Sequence, residues 1–86
     1  MQEQYITEVC INKINELIED LRFINPNYII SQTMQNVDGD YYYSLFIRRT
    51  DITAQVQVTF AEYWVYTEPM YKILGRTVYE ICNVLR

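Results

Sequence analysis

The spacing of hydrophobic residues predicts a first helix over about Glu3 to Ile24. Apolar side chains recur at alternating steps of four and three, which is the period of one helix face. The stripe consists of Cys10, Ile14, Leu17, Leu21 and Ile24, extended backward by Ile6 and widened by Val9, Ile11 and Ile18. A stripe this broad is typical of a helix that lies on a sheet. Asn25-Pro26-Asn27 ends the helix, because proline has no N–H to donate and disfavours helical geometry at the residue before it.

Two strands joined by a tight turn follow. Tyr28 to Val37 begins with apolar residues but turns polar, which predicts an edge strand or one whose second half leaves the core. Asp38-Gly39 then indicates a two-residue hairpin turn. The second strand runs from about Asp40 to Arg49, and its alternation separates two faces. One face carries Tyr41, Tyr43, Leu45 and Ile47, and the other carries Tyr42, Ser44, Phe46 and Arg48.

A third strand is predicted after Thr50-Asp51, because apolar and polar residues alternate cleanly there. The inward positions are Ile52, Ala54, Val56, Val58 and Phe60. The next segment, Ala61 to Tyr66, is ambiguous. It fits a continuation of the strand, a short extra strand, or an aromatic loop that packs back on the sheet.

The last segment predicts a helix that starts near Thr67-Glu68-Pro69, with threonine as the N-cap and proline in the first turn. Its apolar stripe is Tyr71, Leu74, Val78, Ile81 and Leu85. Gly75 lies inside this stripe and fits either close packing against the first helix or a break into two short helices. We favour close packing.

These elements predict one α+β domain over residues 1–86, a two-layer α-β-β-β-α sandwich. Its sheet is a three-stranded antiparallel meander with both helices on one face. Tyr43 and Tyr71 are expected under the helices. Cys10 and Cys82 are both expected in the helix layer as buried free thiols, with a disulfide as the alternative.

The order of helix, three strands and helix resembles that of the double-stranded RNA-binding domain. That family carries a basic lysine cluster at the start of its second helix, where this chain has Glu68-Pro69-Met70-Tyr71-Lys72. The resemblance is therefore one of topology, and it implies no RNA-binding function.

The charge balance argues against a nucleic-acid partner. Eleven carboxylates outweigh seven lysines and arginines, so the net charge is −4. Nucleic-acid binding normally needs clustered positive charge. Half of the residues are apolar and 21% are charged, which is the composition of a globular domain.

The residue types that are scarce exclude most catalytic and cofactor chemistry. The chain has no histidine, which removes Ser-His-Asp and Cys-His arrangements and histidine zinc sites. Two cysteines are too few for a Cys₄ zinc site, and two glycines are too few for a phosphate-binding loop. We therefore expect no cofactor, no metal and no catalytic residue.

Carboxylate chemistry is the remaining enzymatic alternative, and we give it little weight. Glu62 and Glu68 bracket an aromatic segment and fit paired acids, but solvated rim charges explain them more simply. Asp38 and Asp40 flank Gly39 like part of a calcium loop, yet the closing glutamate of that loop is missing. A hairpin turn accounts for all three residues.

The sequence also predicts a cytoplasmic protein that does not contact a membrane. No signal peptide is visible at the N-terminus, and no apolar run approaches the roughly 18 residues that a spanning helix needs. Without an export signal, both thiols are expected to be reduced.

The aromatic residues give the strongest functional indication. Nine tyrosines are present, and a three-stranded sheet with both helices on one side leaves its other face open. Tyrosine, phenylalanine and tryptophan on such a face match the composition of protein interfaces. Arg48 and Arg49 fit an anchor for a carboxylate or phosphate of a partner, or plain turn charges. The predicted interaction residues are Tyr42, Phe46, Arg48, Arg49, Tyr63, Trp64 and Tyr66.

We therefore expect a small non-catalytic protein-binding module of the adaptor, chaperone or inhibitor type. Another protein is the expected partner, and a homodimer formed through the open face or the edge strand is the simplest case. One alternative is a phage or mobile-element inhibitor of a host defence protein. The other is a nucleic-acid-binding domain that uses the open sheet face with Arg48 and Arg49.

Overall fold

The computed structural model describes residues 2–85 and confirms the α+β sandwich. The elements are α1 (Gln2–Ile24), β1 (Tyr28–Val37), β2 (Asp40–Arg49), β3 (Gln55–Ala61), α2 (Glu62–Thr67) and α3 (Met70–Val84). The strands form one antiparallel sheet in the order β1-β2-β3, so β2 is central and β1 and β3 are edges. The helices supply the second layer.

The core lies between the helices and one face of the sheet. Its sheet side includes Tyr43, Leu45 and Ile47 of β2 together with Val56, Val58 and Phe60 of β3. From α1, the stripe residues Cys10, Ile14, Leu17 and Leu21 are fully buried. Ile24 is exposed, contrary to the prediction, because it lies in the final turn of α1 beyond the residues that join the core.

The hairpin between β1 and β2 has the predicted turn. Asp38 and Gly39 both adopt positive φ, 54° and 89°, as a type I′ turn requires. The Asn36 side chain accepts a 3.0 Å hydrogen bond from the Gly39 N–H. The polar second half of β1 does leave the core, since all residues from Ser31 to Val37 are exposed.

Strand β3 begins later than predicted, at Gln55. Because Gln55 already pairs with Arg48 near the end of β2, the residues before it have almost no strand to pair with. Ile52 still packs against the core from the connecting loop, but Ala54 is exposed.

Ala61 ends β3, but the residues from Glu62 to Tyr66 are neither strand nor loop, so all three alternatives were wrong for them. Glu62 to Thr67 forms the short helix α2. Thr67 is consequently not the N-cap of the last helix: its hydroxyl donates a 2.9 Å hydrogen bond to the Tyr63 carbonyl within α2. The last helix begins at Met70, after Pro69.

Helix α3 buries a face that is rotated from the predicted one. Its buried residues are Ile73, Thr77 and Ile81, and Tyr71 is 72% exposed rather than under the helices. Gly75 is exposed within a continuous helix, and a Cβ built on it meets no atom within 4 Å. Neither close packing nor a helix break therefore explains this glycine.

The two cysteines occupy different environments. Cys10 is fully buried, as predicted, whereas Cys82 is exposed because it lies on the outer side of α3, next to the buried Ile81. No disulfide joins them. Within residues 2–85, none of the helices combines the length and the apolar character that crossing a membrane requires.

Candidate protein-interaction site

The open face of the sheet, which the helices leave uncovered, carries alternate residues of the three strands. Its central row is Tyr42, Ser44, Phe46 and Arg48 of β2, flanked by Ile29, Ser31, Thr33, Gln35 and Val37 of β1 and by Gln55, Gln57, Thr59 and Ala61 of β3. Phe46 and Tyr42 are half-buried among these mostly polar neighbours. Ser44 is buried, and its hydroxyl lies 2.9 Å from that of Thr59. Rigid aromatic rings surrounded by short hydroxyl and amide side chains are typical of protein-binding surfaces.

The β1 edge surface, which we define as Ser31–Val37, adjoins the open face. All seven residues are exposed, and none is charged or proline. Within the described part of the chain β1 pairs with β2 alone, so the backbone on its other side has no neighbouring strand there. Natural edge strands usually carry lysine, proline or a bulge that discourages pairing with another chain. This edge has neither a charge nor a proline.

A cleft lies between the hairpin tip and the start of α2. We call it the hairpin cleft, and its volume is about 470 Å³. The side chains that give it its chemical character are Ile6, Asp40, Tyr41, Tyr42, Glu62 and Tyr63. Tyr63 is 76% exposed and is the most accessible aromatic ring of the cleft.

One wall of the cleft is fixed by polar contacts between α1, β2 and α2. The Glu62 carboxylate accepts hydrogen bonds from the Tyr43 hydroxyl at 2.6 Å and from the Thr7 hydroxyl at 3.1 Å. The Cys10 thiol donates to the Glu62 carbonyl at 3.4 Å. At the other end of α2, the Lys13 ammonium donates to the carbonyls of Val65, Tyr66 and Glu68, at 2.9, 3.1 and 2.8 Å. Lys13 thereby satisfies the carbonyls that a helix leaves unpaired at its C-terminus.

These contacts hold protons tightly on two groups beside Glu62. Burial, assisted by the nearby Glu62 charge, raises the pKa of the Cys10 thiol from 9.0 to about 11. Burial also raises the pKa of Tyr43, and the hydrogen bond to Glu62 raises it further. Cys10 is therefore a protonated thiol near neutral pH, and a reactive cysteine would instead need a lowered pKa.

The predicted interaction residues do not form one patch. Tyr42, Phe46 and Arg48 lie on the open face, and Tyr63 lies at the cleft. The other three occupy different places.

Trp64 and Tyr66 pack against the core from α2. The Trp64 ring stacks on Phe60 with 5.6 Å between centroids, and the Arg76 guanidinium lies about 5 Å from both rings, at 4.9 Å from Phe60 and 5.1 Å from Trp64. Arg76 also donates to the Thr59 carbonyl at 3.0 Å, which partly covers the β3 edge. Trp64 is thus part of the packing between α2, α3 and β3.

Arg49 is engaged within its own chain and does not act as a pair with Arg48. Its guanidinium holds both carboxylate oxygens of Asp51, with Nε to Oδ1 at 3.0 Å, and donates to the Leu85 carbonyl at 3.2 Å at the end of α3. The hydrogen bonds from Arg49 lower the pKa of Asp51. Arg48 is consequently the basic side chain that the open face presents.

Several exposed apolar residues were missed by the sequence-based reasoning. Phe23 is 92% exposed at the end of α1, and Ile29 and Val37 are exposed on the open face of β1. For Ile29 and Val37, the signal in the sequence that indicated exposure was their position near the two ends of a predicted edge strand. For Phe23 the available signal was its position on the helix, because two residues after the buried Leu21 it lies on the side of α1 opposite the stripe.

The two candidate acids do not form a pair. Glu62 begins α2 and Glu68 follows its end, and they make separate contacts: the Glu68 carboxylate lies 3.4 Å from the Lys72 ammonium. No group of three Cys, Asp or Glu side chains within residues 2–85 is placed to hold a metal ion.

Comparison with known protein families, with curated proteins and with solved structures finds no match to this chain.

Proposed function

We propose that this protein is a small non-catalytic protein-binding module that self-associates through the β1 edge surface. The observation that carries the proposal is the character of Ser31–Val37, an exposed edge with no charged residue and no proline. Such an edge offers a row of backbone donors and acceptors to another strand. A second copy of the chain is the occupant that its side chains fit.

The backbone of β1 suits antiparallel pairing with a second β1. Val37 and Asp40 flank the two-residue turn and exchange hydrogen bonds with each other, so Val37, Gln35 and Thr33 direct their N–H groups at β2. Because the direction alternates along a strand, Gln32 and Met34 direct their N–H groups away from the sheet. These outward groups are available to a second strand.

On the open face, one register matches apolar with apolar residues and polar with polar residues. With the two-fold axis at Thr33, Ile29 of one copy lies opposite Val37 of the other, since each is four residues from Thr33. Both residues are exposed in the single chain, at 42% and 51%. Ser31 then lies opposite Gln35, and the Thr33 side chains of the two copies meet each other. Cross-strand pairs of this kind stabilise a sheet.

The same register puts charges of opposite sign at the same end of the paired hairpins. The hairpin tip carries Asp38 and Asp40, whereas the opposite end of the hairpin carries Arg48 beside Ile29. The two β1 strands lie between Asp40 of one copy and Arg48 of the other, which is a separation of about three strand spacings, or roughly 14 Å. Charges this far apart are largely screened at physiological salt, so they contribute little to the pairing.

Pairing about an axis perpendicular to the sheet keeps the two open faces on the same side. Two copies then present one continuous face that carries Tyr42 and Phe46 twice. Such a doubled aromatic face supports the adaptor type of function, in which the dimer binds a further protein.

Light scattering on the purified protein, over a dilution series, tests the proposal. We expect the mass of two chains for the wild type and of one chain for Thr33→Lys, because the substitution puts like charges opposite each other on the axis. Thr53→Lys is the matched control, since Thr53 is exposed in the loop before β3. A wild type with the mass of one chain at every concentration would contradict the proposal. So would loss of the dimer in Thr53→Lys as well.

A further inference from the structure

We propose that the hairpin cleft binds the guanidinium group of an arginine side chain presented by a partner protein. The inference rests on the protein-binding function proposed above, but it does not depend on self-association. The ligand follows from three properties of the cleft: its aromatic lining, its two carboxylates that pair with no cation of residues 2–85, and the fixed position of one of them.

The aromatic lining comes from two elements that the fold brings together. Tyr41 and Tyr42 follow the hairpin turn, and Tyr63 lies in the first turn of α2. The pairing of Tyr42 with Ala61 brings the start of α2 to the hairpin. A guanidinium group is planar and weakly hydrated, so it stacks on aromatic faces more readily than an ammonium group does.

The cleft is negatively charged and therefore favours a cationic ligand. Asp40 and Glu62 both line it, and no lysine or arginine of the described residues 2–85 does. The ion pairs among residues 2–85 are Arg49–Asp51 and Lys72–Glu68, so neither cleft carboxylate pairs with a cation from this part of the chain. A half-buried carboxylate next to tyrosine rings is a matching partner for a guanidinium, which reaches carboxylates in bidentate geometry.

The Glu62 carboxylate is held in position before a ligand arrives. Tyr43 and Thr7 both donate to the same oxygen, Oε2, and neither bond uses Oε1. The second oxygen is therefore the one that we assign to the ligand. Binding to a carboxylate that is already oriented loses less conformational entropy.

Amide chemical-shift titration of ¹⁵N-labelled protein with N-acetyl-arginine-methylamide tests the site. We expect shifts confined to residues 6–7, 36–42 and 61–63. The citrulline analogue, a neutral molecule of nearly the same shape, should give none. Using the Thr33→Lys variant separates this test from self-association, because light scattering and the titration then report on different surfaces.

Two substitutions identify the carboxylates. Glu62→Gln should weaken arginine binding about tenfold, and Asp40→Asn should also weaken it. Asp38→Asn is the matched control, because it removes the same charge from the turn without lining the cleft. Glu62 makes contacts within the fold, so Glu62→Gln is a usable test only if that variant folds. Asp40 is exposed, and we expect Asp40→Asn to fold in either case.

Three results would overturn the inference. They are equal shifts with the citrulline analogue, shifts that lie mainly outside the cleft, and unchanged arginine binding in Asp40→Asn and in a folded Glu62→Gln.

Discussion

The Tyr43 hydroxyl donates a 2.6 Å hydrogen bond to the Glu62 carboxylate and so joins the central strand to the first residue of α2. We expect Tyr43→Phe to lower the free energy of unfolding by about 1–2 kcal/mol, because a hydrogen bond to a charged acceptor is lost. Urea denaturation followed by circular dichroism measures this. Tyr79→Phe, at an exposed position of α3, should change the value by less than about 0.5 kcal/mol.

The raised pKa of Cys10 predicts a loss of stability at alkaline pH. Because the folded state holds the thiol proton more tightly than the unfolded chain does, the contribution is complete below pH 9.0 and is lost as the pH rises towards about 11. The raised pKa of Tyr43 acts in the same direction at higher pH. We expect the free energy of unfolding to fall over this window in the wild type and less steeply in Cys10→Ala. Equal slopes for the two proteins would contradict the assignment.

Lys13 is expected to stabilise α2 through its three hydrogen bonds to backbone carbonyls. Lys13→Met should cost about 2 kcal/mol, because the carbonyls at the end of α2 lose a charged donor. Hydrogen exchange should accelerate at residues 62–67 before it does in the sheet. Lys72→Met is the control: Lys72 is exposed in an i,i+4 ion pair with Glu68, worth less than about 0.5 kcal/mol.

Neighbouring aromatic residues of α2 should respond differently to truncation. Trp64→Ala removes the ring that stacks on Phe60 and should cost about 3 kcal/mol. Tyr63→Ala should cost less than about 0.5 kcal/mol, because Tyr63 is mostly exposed. Thermal unfolding of the two variants compares them directly. Similar losses would mean that Trp64 is not part of the packing.

The two glycines should respond to alanine in opposite directions. Gly75→Ala should stabilise α3 by about 1 kcal/mol, since the helix gains a better helix former and the added Cβ meets no neighbour. Gly39→Ala should destabilise the protein by about 1–2 kcal/mol, because its φ of +89° strains any residue with a Cβ. Thermal unfolding checks this: the melting temperature should rise in Gly75→Ala and fall in Gly39→Ala.

The parts of the fold that depend on local patterns could be predicted from the sequence. The apolar stripe of α1 and the Asp38-Gly39 turn follow from residues close together in the sequence. The alternation in β2 correctly assigned Tyr43 to the buried face of the sheet and Tyr42 to the open face. The polar second half of β1 likewise indicated an exposed edge.

Helix α2 could not be predicted, because its stability comes from residues far away in the chain. Six residues rich in aromatics have little helical stability of their own. The helix forms where Thr7 and Tyr43 bind its first residue and Lys13 binds its last carbonyls. The one feature of the sequence that hinted at such a contact was Lys13, a lysine next to the buried stripe of α1.

The candidate site was only partly predictable for the same reason. Once the segment from Glu62 to Thr67 is a helix rather than a strand, Trp64 turns into the core and Tyr63 turns towards solvent. The orientation of each aromatic ring follows from that one change. In α3, apolar residues on neighbouring positions allowed two phases of the stripe, and packing on the sheet selected the one that exposes Tyr71.

Disulfide trapping across the proposed two-fold axis tests the β1 edge most directly. Facing residues of a non-hydrogen-bonded antiparallel pair have Cα atoms about 4.5 Å apart, within the range that a disulfide spans. In a Cys82→Ser background, Thr33→Cys should therefore form a cross-linked dimer rapidly on mild oxidation. Ser31→Cys and Gln35→Cys should cross-link efficiently only when the two variants are mixed. Cross-linking of Thr33→Cys no faster than that of Thr53→Cys would contradict the account.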